Sequence, residues 1–382
     1  MHQTMMRWVL CGILWGMCAA LGFSQDAPSL VLRIKAVGKE GAGNVEAAKA
    51  FKLLVAQGPV GLTDILTGMD DASPAARNWL RAAVEAIQDK AMQSGQKIPA
   101  DKIDVFLKDT RHAGHSRRLA YECLVRLDPK TPERLLPKML DDPSPELRRD
   151  AVAAQLDYGK GAAWKQDELH LKFYQDLLTH ARDRDQVSAI CDVLKAKHKI
   201  EIDQTKQYGF VTRWLLAGPF DNVKGVGFHN IYPPEKGVDI KTTYVGKANE
   251  KVRWQEHSTT KALGLVDLNE AVGKLHGVAA FAYSAVSSKT EQQVEIRVGS
   301  NNAVRIWLNG KQIYFREEYH HGWEMDQHVG KGVLKAGRNE ILIKVCQNEQ
   351  TENWAQNWSF QLRVCDHLGG ATPVVNVTEK VK

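Results

Sequence analysis

The hydrophobic period of the chain changes once, near residue 206, and no other feature constrains the fold as strongly. From about 45 to 205 the apolar residues recur at helical spacing, as in Leu135, Leu136, Met139 and Leu140 on one face. Beyond 206 short runs alternate apolar and polar side chains, as in Val294–Val298 and Ala303–Leu308. A chain of 382 residues is too long for one ordinary core. The expectation is an α+β multidomain protein, helical over 46–205 and β-sheet over 206–366, with a leader or linker at 25–45 and a disordered tail at 367–382.

The helical half repeats a unit. Asp141-Asp142-Pro143-Ser144-Pro145 breaks one helix, Ser144 can cap the next, and Pro145 suits its first turn. Ser73-Pro74-Ala75-Ala76-Arg77 matches Ser144-Pro145-Glu146-Leu147-Arg148 position for position. Ser116-Arg117-Arg118 is a third copy, and Leu169–Leu194 a weaker fourth. Spacing of this order fits two-helix solenoids, whose units bury their apolar faces only by stacking. The Asp-Asp-Pro-Ser-Pro-Glu-Leu-Arg-Arg turn resembles a HEAT or HEAT-like repeat. The resemblance implies an α-helical solenoid with a ladder of Asp71, Asp142, Arg77, Arg117 and Arg148, and a concave surface for a protein partner.

In the β half, Asn309-Gly310 between two strand patterns is a strong hairpin signal. Lys331, between Gly330 and Gly332, reads as a turn. Strands are also expected at Phe210–Ala217, Gln312–Phe315, Glu340–Val345 and Trp358–Val364. Many short strands with few helices point to an antiparallel β-sandwich or jelly roll. Val304–Lys311 with Lys335–Val345 resembles the signature of galactose-binding-like jelly rolls attached to secreted glycoside hydrolases. Trp214–Phe220, Tyr232–Glu235 and Val252–Trp254 resemble the opening of such domains in exported bacterial proteins, planctomycete-like ones in particular. That fold implies binding of sugars or proteins, or bracing of a neighbouring domain.

Residues 1–24 read as a signal peptide: Arg7, an apolar run from Trp8 to Leu21, then Gly22-Phe23-Ser24 before a cut at Gln25. The run of about 14 residues is shorter than the roughly 20 a spanning helix needs, so no transmembrane anchor is expected after cleavage. The destination is periplasmic or extracellular. Lys and Arg number 51 against 45 Asp and Glu, spread without a basic block, which argues against a nucleic-acid partner. Four cysteines follow the signal (Cys123, Cys191, Cys346, Cys365) with no Cys-x-x-Cys pair. This excludes a disulfide scaffold and a zinc or redox motif. Cys346 and Cys365 end two strand patterns and would bridge only if those strands are neighbours.

Two loop-like stretches mix aromatics with amides, carboxylates and histidine: Glu317–His328 and Glu349–Trp358. A sugar site needs an aromatic face for the C–H side of the ring and polar groups for its hydroxyls. Tyr319, His320, Trp323, Asn353, Trp354 and Asn357 are the candidates; the alternative is that the tryptophans plug the sheet ends. His320, His321 and His328 with Glu324 or Asp326 suggest a metal, but adjacent histidines in a strand face opposite ways. The carboxylates and backbone oxygens suit a structural calcium, with no other cofactor expected. No Gly-x-Ser-x-Gly elbow or His-Glu-x-x-His occurs. The expected function is non-enzymatic binding of a glycan or cell-wall polymer, with a protein partner on the helices. A protein–protein scaffold and a polysaccharide hydrolase are the alternatives.

Overall fold

The structure is a computed structural model that describes residues 26–377; the signal-peptide expectation lies outside them. The chain forms two compact units, Met1–Pro129 and Lys130–Lys382. No helix among the described residues is long and apolar enough to cross a membrane.

The first unit is helical: α1 (Ala27–Lys35), α2 (Asn44–Gln57), α3 (Leu62–Gly68), α4 (Pro74–Ser94), α5 (Ala100–Lys108) and α6 (Gly114–Leu127). Its first helix corrects the expected leader at 25–45. Asp26 caps α1 by accepting from the Ser29 amide, and Leu30, Val31 and Ile34 are buried against α2 and α3. Three apolar residues at helical spacing lie hidden in a stretch that its neighbouring glycines made look like a linker. The Ser-Pro starts form as expected. Ser73 caps α4 through the Ala76 amide at 3.2 Å, with Pro74 in the first turn. Asp71 pairs with Lys35, and Arg77 lies 3.3 Å from His115.

The second unit opens with α7 (Thr131–Leu135), α8 (Pro145–Gly161), α9 (Asp167–His180) and α10 (Arg184–His198). Ser144 caps α8 through the Leu147 amide. These helices belong to the same compact unit as the sheets that follow, so the boundary expected at 205/206 does not separate two bodies. Tyr208, Phe210 and Leu263 join the apolar cluster of α8, α9 and α10, and that shared core is the physical reason.

The strands are β1 (Arg213–Asp221), β2 (Tyr244–Val245), β3 (Lys251–Val252), β4 (Gln255–Ser258), β5 (Val266–Asp267), β6 (Val278–Ser288), β7 (Gln292–Ser300), β8 (Ala303–Leu308), β9 (Lys311–Arg316), β10 (His328–Leu334), β11 (Gly337–Gln347), β12 (Ser359–Cys365) and β13 (Val375–Asn376). One sheet runs β4-β1-β6-β11-β8-β9, with β13 also on β6; a second runs β10-β7-β12-β5. Every pairing is antiparallel. Trp214, Ile306 and Ile343 of the first sheet share one core with Ile296, Phe360 and Leu362 of the second, so the two sheets pack face to face.

The β8–β9 hairpin turns at Asn309 and Gly310, both at positive φ (52° and 78°), as the Asn-Gly pair predicts. The turn expected at Gly330–Gly332 is instead strand β10. A Cβ at Gly330 would lie 2.9 Å from Ile313, and one at Gly332 2.6 Å from Leu308. The glycines serve close packing, not chain reversal. Of the tail expected to be disordered at 367–382, the described residues through 377 are ordered. Thr372 is buried, and β13 adds to β6. All four described cysteines are free and buried; Cys346 and Cys365 lie in different sheets.

The outer face of the first sheet is covered by residues 222–254. Phe228, Tyr244, Val252 and Trp254 pack on Phe281, Tyr283 and Leu342. Lys344, fully buried in β11, points to this side. Its Nζ lies 2.7 Å from Glu235 Oε1 and donates to the carbonyls of Gly227 (2.8 Å) and Asn230 (3.0 Å). An unpaired charge would be too costly there, so the lysine and the covering segment hold each other in place. Replacing Lys344 alone (Lys344→Met) leaves the Glu235 carboxylate unpaired and should cost about 3–5 kcal/mol in urea unfolding. The double variant Lys344→Met/Glu235→Leu should recover most of that loss. Equal losses in both variants would mean that the ion pair does not hold this segment.

Candidate functional site

The loop between β9 and β10 carries most of the side chains singled out from the sequence, and the structure sends them in two directions. Tyr319 turns toward the first sheet. Its hydroxyl accepts from Asn222 Nδ2 at 3.2 Å, and its ring packs beside the outer-face core. Burial pushes its pKa upward. His320 adopts a left-handed backbone (φ 57°) and donates its amide to the Asn301 carbonyl at 2.7 Å. Its Nε2 lies 2.7 Å from Asn348 Oδ1. Asn348 Nδ2 donates to Gln350, so Oδ1 is the acceptor and His320 Nε2 carries the proton. Trp354 stands edge-on to the His320 ring, with centroids 5.4 Å apart, and is 61% exposed.

The Trp354 loop is braced from below. Gln347 Nε2 donates to the Ala355 carbonyl, and Asn302 Nδ2 donates to Gln347 Oε1 and to the Asn357 carbonyl. Asn302 and Gln347 are fully buried, and such satisfied amide networks fix a loop in one conformation. Gln356 Nε2 closes the loop onto the Thr351 carbonyl at 2.6 Å. Asn353 is exposed beside Trp354 in the chain; Asn357 is exposed but contributes its carbonyl to the bracing. The structure therefore brings Tyr319, His320 and Trp354 together as a surface platform, with Asn348 and Gln350 added. Gln350 lies in the Glu349–Trp358 stretch singled out from the sequence but was not named as a candidate, and Asn348 just before it was missed, because nothing distinguishes it from other polar loop residues.

Trp323 does not join this platform. With Met325 it packs against the apolar cluster of α8–α10. The next turn explains why: Asp326, at φ 64°, accepts from Arg363 Nε at 2.6 Å and from Arg297 at 2.8 Å. These arginines hold its pKa below the usual carboxylate range despite burial. Asp326 is thereby committed to ion pairs. Among the described residues no three His, Cys, Asp or Glu side chains gather as a metal cluster. Trp323 lines a pocket of about 550 Å³ together with Arg148, Arg182, Arg184, Arg297 and Arg363. Those arginines come from four separate segments, and in sequence each reads as an ordinary solvated residue. A separate groove of about 570 Å³ runs between β9 and β10, lined by Leu308, Ile313, Lys311 and Lys331; it holds none of the expected site residues.

The chain matches no family model and no curated protein. Among solved structures it is similar to an anti-sigma factor domain-containing protein from Clostridium clariflavum, at 14% identity and TM-score 0.26 over 43% of this chain and 45% of that one. It is also similar to the β-glucosidase from Kluyveromyces marxianus in complex with glucose, at 9% identity and TM-score 0.25 over 39% and 16%. A third is the PA14 sugar-binding domain from RTX adhesin, at 12% identity and TM-score 0.22 over 44% and 96%. The chain spans less than half the length of the first two structures it matches. Likenesses of this size carry no argument about fold or function.

His328 follows the loop at the start of β10. It is buried, its Nδ1 is 3.1 Å from the Tyr314 hydroxyl, and its ring meets His321 edge-on. Burial, with the like-charged His321 nearby, pulls its pKa from 6.5 down to about 4; Glu318 opposes this and Arg316 adds to it. The folded pKa lies below the unfolded one. Stability is therefore full above pH 6.5 and falls as the pH is lowered toward 4, by up to about 3 kcal/mol at roughly 1.36 kcal/mol per unit. Urea unfolding across that range should show the decline, and His328→Phe should flatten it. An unchanged slope in the variant would show that burial does not lower the His328 pKa in the folded state.

Proposed function

We propose that this chain is a non-enzymatic exported binding protein whose β region, a galactose-binding-like jelly roll, recognises a glycan or cell-wall polymer. The helical segments, read as HEAT-like repeats, would dock a protein partner. The observation that carries the reading is the exposure of Trp354 on a braced loop beside His320, Asn348 and Gln350. An exposed indole held in place offers a saccharide an apolar face at little entropic cost, and the adjacent amides can meet its hydroxyls. Tyr319 supports the platform from beneath, and Asn353 lies at its rim. Trp323 has no part in this site.

The test is a binding screen of the full chain against neutral polysaccharides and isolated cell-wall polymer. Saturable binding is expected. Trp354→Ala should weaken it at least roughly tenfold, about 1.4 kcal/mol, with no change in melting temperature. His320→Ala should weaken it less. No binding by the folded chain would overturn the reading in favour of a scaffold that contacts only proteins, and undiminished binding by Trp354→Ala would overturn the assignment of the site to the Trp354 platform.

A further inference from the structure

The arginine pocket lies within the second unit, between the α8–α10 helices and the outer face of the four-stranded sheet. Its lining carries five arginines against three carboxylates, Asp183, Glu324 and Asp326. Two of the arginines are neutralised: Arg363 and Arg297 grip Asp326, and Arg297 also holds Glu295 at 2.7 Å. Asp183 is drawn off by Arg149 at 3.3 Å, outside the lining. Arg148, Arg182 and Arg184 have no carboxylate within ion-pair distance among the described residues.

This arrangement is unusual for buried cations. Arg148 is only 6% exposed, and its side chain's one hydrogen bond goes to the neutral Asp142 carbonyl at 2.6 Å. Arg182 donates to the Thr179 and Ala181 carbonyls, while its Nε is buried without a partner. Burial lowers the pKa of both, and Arg182 and Arg297 each disfavour the charge on Arg148. Asp142 and Asp183 offset this only in part for Arg148, as Asp366 and Asp141 do for Arg182. Guanidinium groups that outnumber the carboxylates around them are stabilised by an added anion, and their planar forks fit carboxylate and sulfate oxygens. Trp323 and Met325 add an apolar wall to the same pocket. A volume of about 550 Å³ is within the range of small-ligand sites.

We propose that this pocket binds an acidic saccharide, its carboxylate or sulfate groups held by Arg148, Arg182 and Arg184 and a sugar ring lying against Trp323. The choice of a saccharide rests on the glycan reading above; the anion preference rests on the arginines alone. The pocket is a second site, separate from the Trp354 platform.

Calorimetric titration of the full chain with a galacturonate oligosaccharide, a neutral oligosaccharide of equal length, inorganic sulfate and a glutamate-rich peptide tests it. The acidic sugar should bind, the neutral one should not bind at this pocket, sulfate should compete, and affinity should fall as salt is raised. Arg182→Gln/Arg184→Gln should weaken the acidic sugar at least roughly tenfold, the loss expected for charge-assisted hydrogen bonds. Arg184→Gln alone, at an exposed position, should weaken it by a smaller factor without altering the melting temperature. Trp354→Ala should leave this binding intact, which separates its failure from that of the platform. Undiminished binding of the acidic sugar by the double arginine variant would overturn the proposal. So would loss of the acidic sugar in Trp354→Ala only, or tighter binding of the peptide than of the sugar.

Discussion

The carboxylate of Asp326 organises the second unit. It sits in a mostly buried position where an isolated charge would be untenable, and two guanidinium groups make it tenable. Arg363 reaches it from β12 and Arg297 from β7, while Arg363 also donates to the carbonyls of Tyr208 and Gly369. One acidic side chain thus joins the β9–β10 loop, the middle of the second sheet, the segment that enters the sheets and the segment that leaves them. Such a network tolerates no half-measures: with one member removed, the others become buried charges without partners.

The functional geometry follows from that anchor. Asp326 holds the end of its loop against the second sheet, which carries Trp323 and Met325 onto the α8–α10 cluster. The start of the same loop is held on the other side by His320 and Tyr319, through Asn348 and Asn222. Two aromatic residues four positions apart in sequence, Tyr319 and Trp323, therefore serve different surfaces. One surface presents an exposed indole with amides; the other gathers arginines around a pocket.

Lys344 does for the first sheet what Asp326 does for the second. Its ion pair with Glu235 and its bonds to backbone carbonyls hold the 226–235 segment over a face of Phe281, Tyr283 and Leu342. The covering explains why β6 escaped sequence reading. Val278, Ala280 and Ala282 face the inter-sheet core, while Ala279, Phe281 and Tyr283 face the covering segment. A strand buried on both sides loses the alternation that marks a half-exposed one.

Local rules were enough for the elements whose determinants lie close together in the chain. Ser73 and Ser144 cap helices because a hydroxyl and an amide three residues on are already neighbours. Asn309-Gly310 turns because both residues accept positive φ. The helical and β halves were legible for the same reason, and so was the promise of an aromatic loop at Trp354. Contacts between distant segments decided the rest. Residues 27–35 became a packed helix only against α2 and α3, and 330–332 became strand only by pairing with Val294–Ile296 of β7. Arg148, Arg182, Arg297 and Arg363 became a pocket only when their segments met. Sequence records which side chains are available and which local backbone shapes they favour. The solvent exclusion that turns a surface arginine or lysine into a buried, partnered charge exists only in the assembled fold.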